Sequence, residues 1–210
     1  MLPIEEALPA LEAALAGRPS AVLVAPPGAG KTTVTPLALV DQPWAAGGRL
    51  IVLEPRRLAA RAAAARMAQT LAEPVGETVG FRVRMQSRVS ARTRIEVVTE
   101  GVFTRMILAD PGLDGVAGVL FDEFHERSLD ADLGLALARD SQGVLREDLR
   151  LLVMSATLDG ARVAALIDAP RVTSAGRSFP VELRYLERPI PERFAADVAA
   201  TIRDALDDED

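Results

Sequence analysis

The segment Ala25-Pro-Pro-Gly-Ala-Gly-Lys-Thr32 follows a short apolar run and opens a stretch of helical composition. It fits the phosphate-loop pattern GxxxxGK[ST], with Ala25 in place of the first glycine. Successive backbone N–H groups in such a turn form an anion nest, and the following helix N-terminus adds partial positive charge. Gly28 and Gly30 remove the Cβ atoms that would block close approach of a phosphate. The set expected to hold a nucleotide is therefore Pro27, Gly28, Ala29, Gly30, Lys31, Thr32 and Thr33. Lys31 reaches the terminal phosphate oxygens, and the Thr32 hydroxyl is a ligand for Mg²⁺. Of the 24 basic residues, 23 are arginine, so this loop carries the only lysine of the chain.

A second constellation lies about 90 residues on. Gly118-Val-Leu-Phe-Asp-Glu-Phe-His125 is an apolar run ending in two carboxylates. An aspartate at the tip of a strand can hold Mg²⁺ through water, since that ion keeps most of its hydration shell. Asp122 is thus a second metal and cofactor residue, and Glu123 is placed to orient and deprotonate an attacking water. Taken alone, an acidic strand end is a common surface turn, and a lone His125 is a solvated loop residue; the upstream phosphate loop gives both a task. Val153-Met-Ser-Ala-Thr157 ends another apolar run. Ser155 and Thr157 there can report on a neighbouring phosphate or carboxylate by hydrogen bonding, although small hydroxyls at strand ends are also ordinary caps.

Positioning these groups requires several strands that end on one side. Apolar runs at 21–25, 50–54, 78–83, 94–99, 116–122, 149–155 and 181–186 alternate with helical stretches at 4–16, 31–39, 58–71, 102–109, 129–139, 160–167 and 192–206. That alternation predicts an α/β fold, a mostly parallel central sheet with helices on both faces. The absence of cysteine excludes disulfides and thiolate metal sites. No run of 18 apolar residues occurs and no basic–apolar leader opens the chain, so a cytoplasmic, non-membrane protein is expected. A net charge of −6 argues against a general nucleic-acid coat. Local clusters differ from that total: Arg82, Arg84, Arg88, Arg92 and Arg94 fall within 13 residues free of acid, and Arg56, Arg57, Arg61 and Arg66 form a second group. No aromatic platform interleaves with them, which argues against base-specific readout.

The order APPGAGKT (25–32), EPRR (54–57), TEG (99–101), DEFH (122–125) and SAT (155–157) resembles motifs I, Ia, Ib, II and III of superfamily 2 helicases. GKTTxxP (30–36) and DEFHERSLDADL (122–133) are similar to the DEAH/RHA group, and the phenylalanine of DEFH resembles the bacterial HrpB-type ATP-dependent helicases. The resemblance implies a RecA-like P-loop NTPase domain over residues 1–176. Residues 177–210 are then a closing strand, a linker and a lead-in helix to a second RecA-like domain. It implies ATP, or another NTP, with Mg²⁺ as cofactors, and single-stranded RNA or DNA as partner. Arg56 or Arg57, Arg84 and the motif Ib Thr99 would face the nucleic-acid backbone, and Arg66 would stack on the nucleotide base. Lys31, Glu123, His125, Ser155 and Thr157 form the expected catalytic set, the last three coupling hydrolysis to strand movement.

Motifs IV to VI of that family have no counterpart here, and no QxxGRxGR-like segment occurs. The chain is therefore expected to be a fragment that binds nucleotide and hydrolyses it poorly without the second RecA-like and C-terminal domains of a parent chain. The acidic end, Asp207-Asp-Glu-Asp210, opposes a helix dipole. It reads either as a frayed tail or as the start of a missing domain. The competing function is a P-loop ATPase motor that does not handle nucleic acid; it leaves the arginines between 82 and 94 and the TEG segment unexplained.

Overall fold

The computed structural model describes residues 2–156, 160–175 and 194–207. The chain divides into two compact units, Met1–Arg177 and Ser178–Asp210. The first is built on an eight-stranded sheet of β1 (Ser20–Val24), β2 (Arg49–Glu54), β3 (Val79–Val83), β4 (Gln86–Arg88), β5 (Ile95–Thr99), β6 (Val116–Phe121), β7 (Arg150–Ser155) and β8 (Arg171–Thr173). Their order across the sheet is β4-β3-β5-β2-β6-β7-β1-β8, and only β4 runs antiparallel to its neighbour.

Every residue of β1 and β6 is buried, because both faces of the sheet are covered. Alternate residues therefore feed two cores. Ala21, Leu23, Leu50, Val52 and Leu152 point into one. They meet Leu11 and Leu15 of α1 (Leu8–Gly17), Leu39 of α2 (Lys31–Leu39), and Ala60, Ala64 and Met67 of α3 (Arg57–Thr70). Val22, Val24, Ile51, Leu53 and Phe121 point into the other. There they meet Phe103 and Ile107 of α4 (Glu100–Ala109), Leu135 and Ala138 of α5 (Leu129–Val144), and Val163 of α6 (Gly160–Leu166). The expected helices thus lie on both faces.

The differences from expectation are local. The first helix divides into a 3₁₀ turn at Pro3–Glu6 and α1, where Pro9 sits in the first turn and restarts the helix. Gly143, a helix-weakening residue, does not stop α5, which runs five residues past the expected Arg139 to Val144. Strands β4 and β8 escape sequence reading because each has three residues, mostly exposed, with no apolar alternation. The strand expected at 181–186 lies outside the described residues.

Charged bolts fix the sheet edge opposite to the strand C-termini. Arg94 donates to the carbonyls of Val40, Ala45 and Gly48. Arg146 donates to those of Gly112, Leu113 and Val116 and pairs with Asp148 at 2.8 Å. Within the second unit, α7 (Phe194–Asp207) carries Phe194, Val198, Ile202 and Leu206 at four-residue spacing along one stripe.

Candidate functional site

The loops that leave the C-terminal ends of β1, β2, β5, β6 and β7 all lie at one edge of the sheet, and each carries one of the sequence motifs. In open parallel sheets this edge is where ligands bind. The phosphate loop turns from β1 into α2 through two left-handed glycines, Gly28 at φ +75° and Gly30 at φ +100°. Gly28 has open space where a Cβ would stand, whereas a Cβ on Gly30 would lie 3.1 Å from Ile4 Cγ2 and Leu2 Cδ1. Among the described residues the amides of Gly28, Gly30, Lys31 and Thr32 find no acceptor. These donors, gathered around a helix N-terminus, fit an anion. The Lys31 side chain is only 3% exposed and its Nζ folds back onto the carbonyl oxygens of Ala25 (2.9 Å) and Pro26 (3.2 Å).

Thr32 Oγ1 donates a short hydrogen bond to Asp122 Oδ2, which joins motifs 90 residues apart in sequence. Asp122 is 3% exposed, and burial pushes its carboxyl above the usual carboxylate range. The Thr32 hydroxyl and the Glu123 N–H, at 2.8 Å from Oδ1, oppose that shift. Two oxygen donors are few for a dedicated metal cage, and among the described residues no group of three or more His, Asp or Glu side chains gathers to form one. This donor set fits Mg²⁺, which takes its remaining ligands from water and phosphate.

Glu123 occupies a left-handed backbone conformation (φ +47°, ψ +33°), an uncommon one for a non-glycine residue. It lines the cavity at the loop together with Gly28, Gly30, Lys31, Thr32 and Thr33. Its carboxylate lies 3.3 Å from His125 Nδ1, and that nitrogen also faces the Ala156 N–H at 3.4 Å. His125 therefore connects the turn after β6 to the end of β7. Ser155 is buried at that strand end. Thr157 lies outside the described residues. Phe124 packs beneath the turn edge-to-face on Phe121 (6.2 Å), which in turn meets Phe103 edge-to-face (5.8 Å).

Residues 5–166 match the sequence profile of the DEAD/DEAH box helicase family. The chain belongs to that family. It is 54% identical over 206 residues to the ATP-dependent RNA helicase HrpB of Escherichia coli (strain K12), covering 98% of this chain and 25% of that protein. It is 34% identical over 195 residues to the probable ATP-dependent RNA helicase DHX35 of Homo sapiens, covering 87% of this chain and 28% of that one. The crystal structure of the Escherichia coli DEAH/RHA helicase HrpB superposes with a TM-score of 0.91 at 54% identity, over 100% of this chain and 27% of that one. That of the E. coli DExH-box NTPase HrpB gives 0.82 at 55% identity, over 98% and 25%. The chain thus spans about a quarter of the length of the HrpB relative.

Within this helicase-family domain the arginines divide by task. Arg94 is spent on loop carbonyls, Arg82 and Arg49 flank the fully buried Glu96 at 2.8 and 3.3 Å, and Arg92 pairs with Glu77. Of the five arginines between 82 and 94, Arg84 and Arg88 alone have side chains with neither an ion pair nor a hydrogen bond among the described residues. Arg84 and Met85 form the two-residue turn of the β3–β4 hairpin, where Met85 is 94% exposed. Arg57 is exposed in the first turn of α3. Thr99 is the N-cap residue of α4 and stands beside Glu54 in the β2–β5 register. Arg56 pairs with Glu126 at 2.6 Å. Both line a cavity of about 460 Å³ with Thr32, Thr33, Glu54, Arg66 and Glu123, so Arg56 stands on the same side of the edge as Thr32 and Glu123.

Two carboxylates at this edge, quoted within the EPRR and TEG segments, were given no role by the sequence. Glu54 is 5% exposed, and burial followed by the charges of Asp122 and Glu123 raises its carboxyl to about 7. Its place at the C-terminal end of an apolar strand is the signal that could have found it. Glu100 accepts a hydrogen bond from the Ser128 hydroxyl (2.5 Å), and Ser128 in turn caps α5 by accepting from the Ala131 N–H. That link between motif Ib and the helix after motif II has no sequence signature. Among the described residues no helix is long and apolar enough to cross a membrane.

Proposed function

We propose that this chain is the nucleotide-binding first motor domain of an ATP-dependent helicase that engages the backbone of single-stranded RNA, with DNA as the other candidate strand. The observation that carries the reading is that Lys31, Thr32 and Glu123 line one cavity, with Asp122 hydrogen-bonded to Thr32 behind it and loop amides that find no acceptor among the described residues. A bound Mg·ATP supplies the phosphoanhydride and the divalent charge. The loop amides and Lys31 hold the phosphates, Thr32 and Asp122 supply oxygens to the cation, and Glu123 takes the proton of the attacking water. His125, standing between Glu123 and the Ala156 N–H, passes the state of that turn to the end of β7, where Ser155 continues the path; Thr157 keeps the coupling role that the helicase resemblance implies. Arg66, on the wall of the adjoining cavity, faces the nucleotide base. Arg84 and Arg88, whose side chains make neither an ion pair nor a hydrogen bond among the described residues, support the strand-binding reading, together with Arg57, Thr99 and, when released from Glu126, Arg56.

Efficient hydrolysis and unwinding are assigned to contacts with a second RecA-like domain and further C-terminal domains, because the arginine fingers of motif VI are not among these residues. Lack of a finger typically slows turnover by roughly 10³ to 10⁵. The test is binding of a fluorescent ADP analogue with Mg²⁺, alongside ATP turnover with and without single-stranded RNA. Nucleotide binding lost in Lys31→Ala, slow turnover, and RNA affinity that falls steeply with salt are expected. Fast turnover indifferent to RNA, with no salt-sensitive RNA binding, would favour a P-loop ATPase that does not handle nucleic acid.

A further inference from the structure

The phosphate loop is open on one side and buttressed on the other, and the buttress comes from the beginning of the described chain. Ile4 is fully buried, and its backbone N–H donates to the Ala29 carbonyl (3.2 Å), a bond reaching the loop from outside it. Its Cγ2, with Leu2 Cδ1 and Val34 Cγ2, occupies the space beside Gly30 so closely that a Cβ there would sit 3.1 to 3.2 Å from all three. The segment is itself fixed at a second point. The hydroxyl of the buried Ser174 donates to the Pro3 carbonyl (2.9 Å), and the Ser174 N–H donates to the carbonyl of Val24, the last residue of β1 before the loop. The 3₁₀ turn Pro3–Glu6 is thereby strapped across the loop, from the end of β8 to Ala29.

We infer that Ile4 is a positioning residue for phosphate binding: it holds the Ala29–Gly30–Lys31 backbone, through Ala29 O and the packed flank of Gly30, in the geometry that aims the unpaired amides at one point. This rests on the phosphate-binding reading of the loop. The physical ground is preorganisation. Four donors that find no acceptor among the described residues stay convergent only if the backbone bearing them cannot relax, and a nest that has to be reassembled on binding loses affinity. The tip of the loop, Pro27 and Gly28, is exposed, with open space where a Cβ on Gly28 would stand.

The test compares binding of a fluorescent ADP analogue with Mg²⁺ by the whole 210-residue chain in five variants, well below each melting temperature. Ile4→Ala keeps the backbone N–H but removes the side chain packed beside Gly30, and is expected to weaken binding roughly tenfold. Ile4→Val keeps Cγ2 and should bind like wild type. Ser174→Ala, which frees Pro3, should weaken binding about threefold. Leu11→Ala empties the same core away from the loop, so it should lower the melting temperature without changing affinity. Lys31→Ala reports on the loop itself. Ile4→Ala binding like wild type while Lys31→Ala is defective overturns the inference, as does Leu11→Ala weakening binding as much as Ile4→Ala. Should Ile4→Ala not fold, Ser174→Ala with unchanged affinity overturns it equally. A Lys31→Ala variant with full affinity overturns the phosphate-binding reading, and the inference with it.

Discussion

Replacing Glu54 with glutamine should stabilise the domain at neutral and alkaline pH and leave it unchanged in acid. In the folded chain this carboxyl titrates at about 7 rather than 4.5, because it is buried and faces Asp122 and Glu123. Folding therefore takes up a proton between those values. The contribution of this group to stability is fully present below pH 4.5, declines as pH rises to 7, and is lost above. A gap of that size corresponds to about 3 kcal/mol. Solvent in the open cavity beside it lowers the expected figure to about 2 kcal/mol. Glutamine keeps the shape and can still accept the Arg56 N–H that the carboxylate accepts, so the hydrogen bond is not the variable. Urea unfolding of both proteins in a chelating buffer at pH 4.5, 6, 7 and 8 reads the difference directly. It should open from near zero to about 2 kcal/mol, equivalent to some 4–8 °C in melting temperature for a domain of this size. A difference independent of pH, or a wild type more stable at pH 8, would refute the electrostatic account.

Glu123→Gln should bind nucleotide at wild-type affinity with turnover below detection, seen by pairing equilibrium titration with phosphate release. His125→Ala should cut turnover at least tenfold with little change in nucleotide affinity, since it removes the link from Glu123 to the Ala156 N–H and no phosphate contact. Arg146→Ala leaves the carbonyls of Gly112, Leu113 and Val116 without their shared donor, and denaturant unfolding should show a loss of about 2–4 kcal/mol. Gly80→Ala would place a Cβ 2.4 Å from the Arg88 carbonyl oxygen, so protease cutting near the β3–β4 turn should accelerate while nucleotide binding persists.

The parts of this fold legible in the sequence were those with a short physical period. β1 and β6 are apolar at every position because both faces are covered, and the alanine-rich α3 declares itself by helix propensity. The site was legible where chemistry fixes residue type and spacing, as at Gly30-Lys31-Thr32 and Asp122-Glu123. What a sequence does not print is who meets whom. Thr32 touching Asp122 is a consequence of β1 and β6 both flanking β7 in a parallel sheet. The arginine cluster misled for the same reason. Arg82, Arg92 and Arg94 lie within a stretch free of acid, and their partners Glu96, Glu77 and the carbonyls around Val40 come from beside or outside it. Arg56 carries no local mark of the Glu126 it pairs with 70 residues away.

The buried lysine has a practical consequence. Because Lys31 is the one lysine in 210 residues, an amine-selective reagent has a single side chain to modify, apart from the amino terminus. That amine is 3% exposed and tied to two carbonyl oxygens, so its labelling rate is set by how often the loop lets it go. The unaltered protein thus contains its own single-site kinetic reporter of the motions of its phosphate loop, readable by intact-mass spectrometry without an engineered probe.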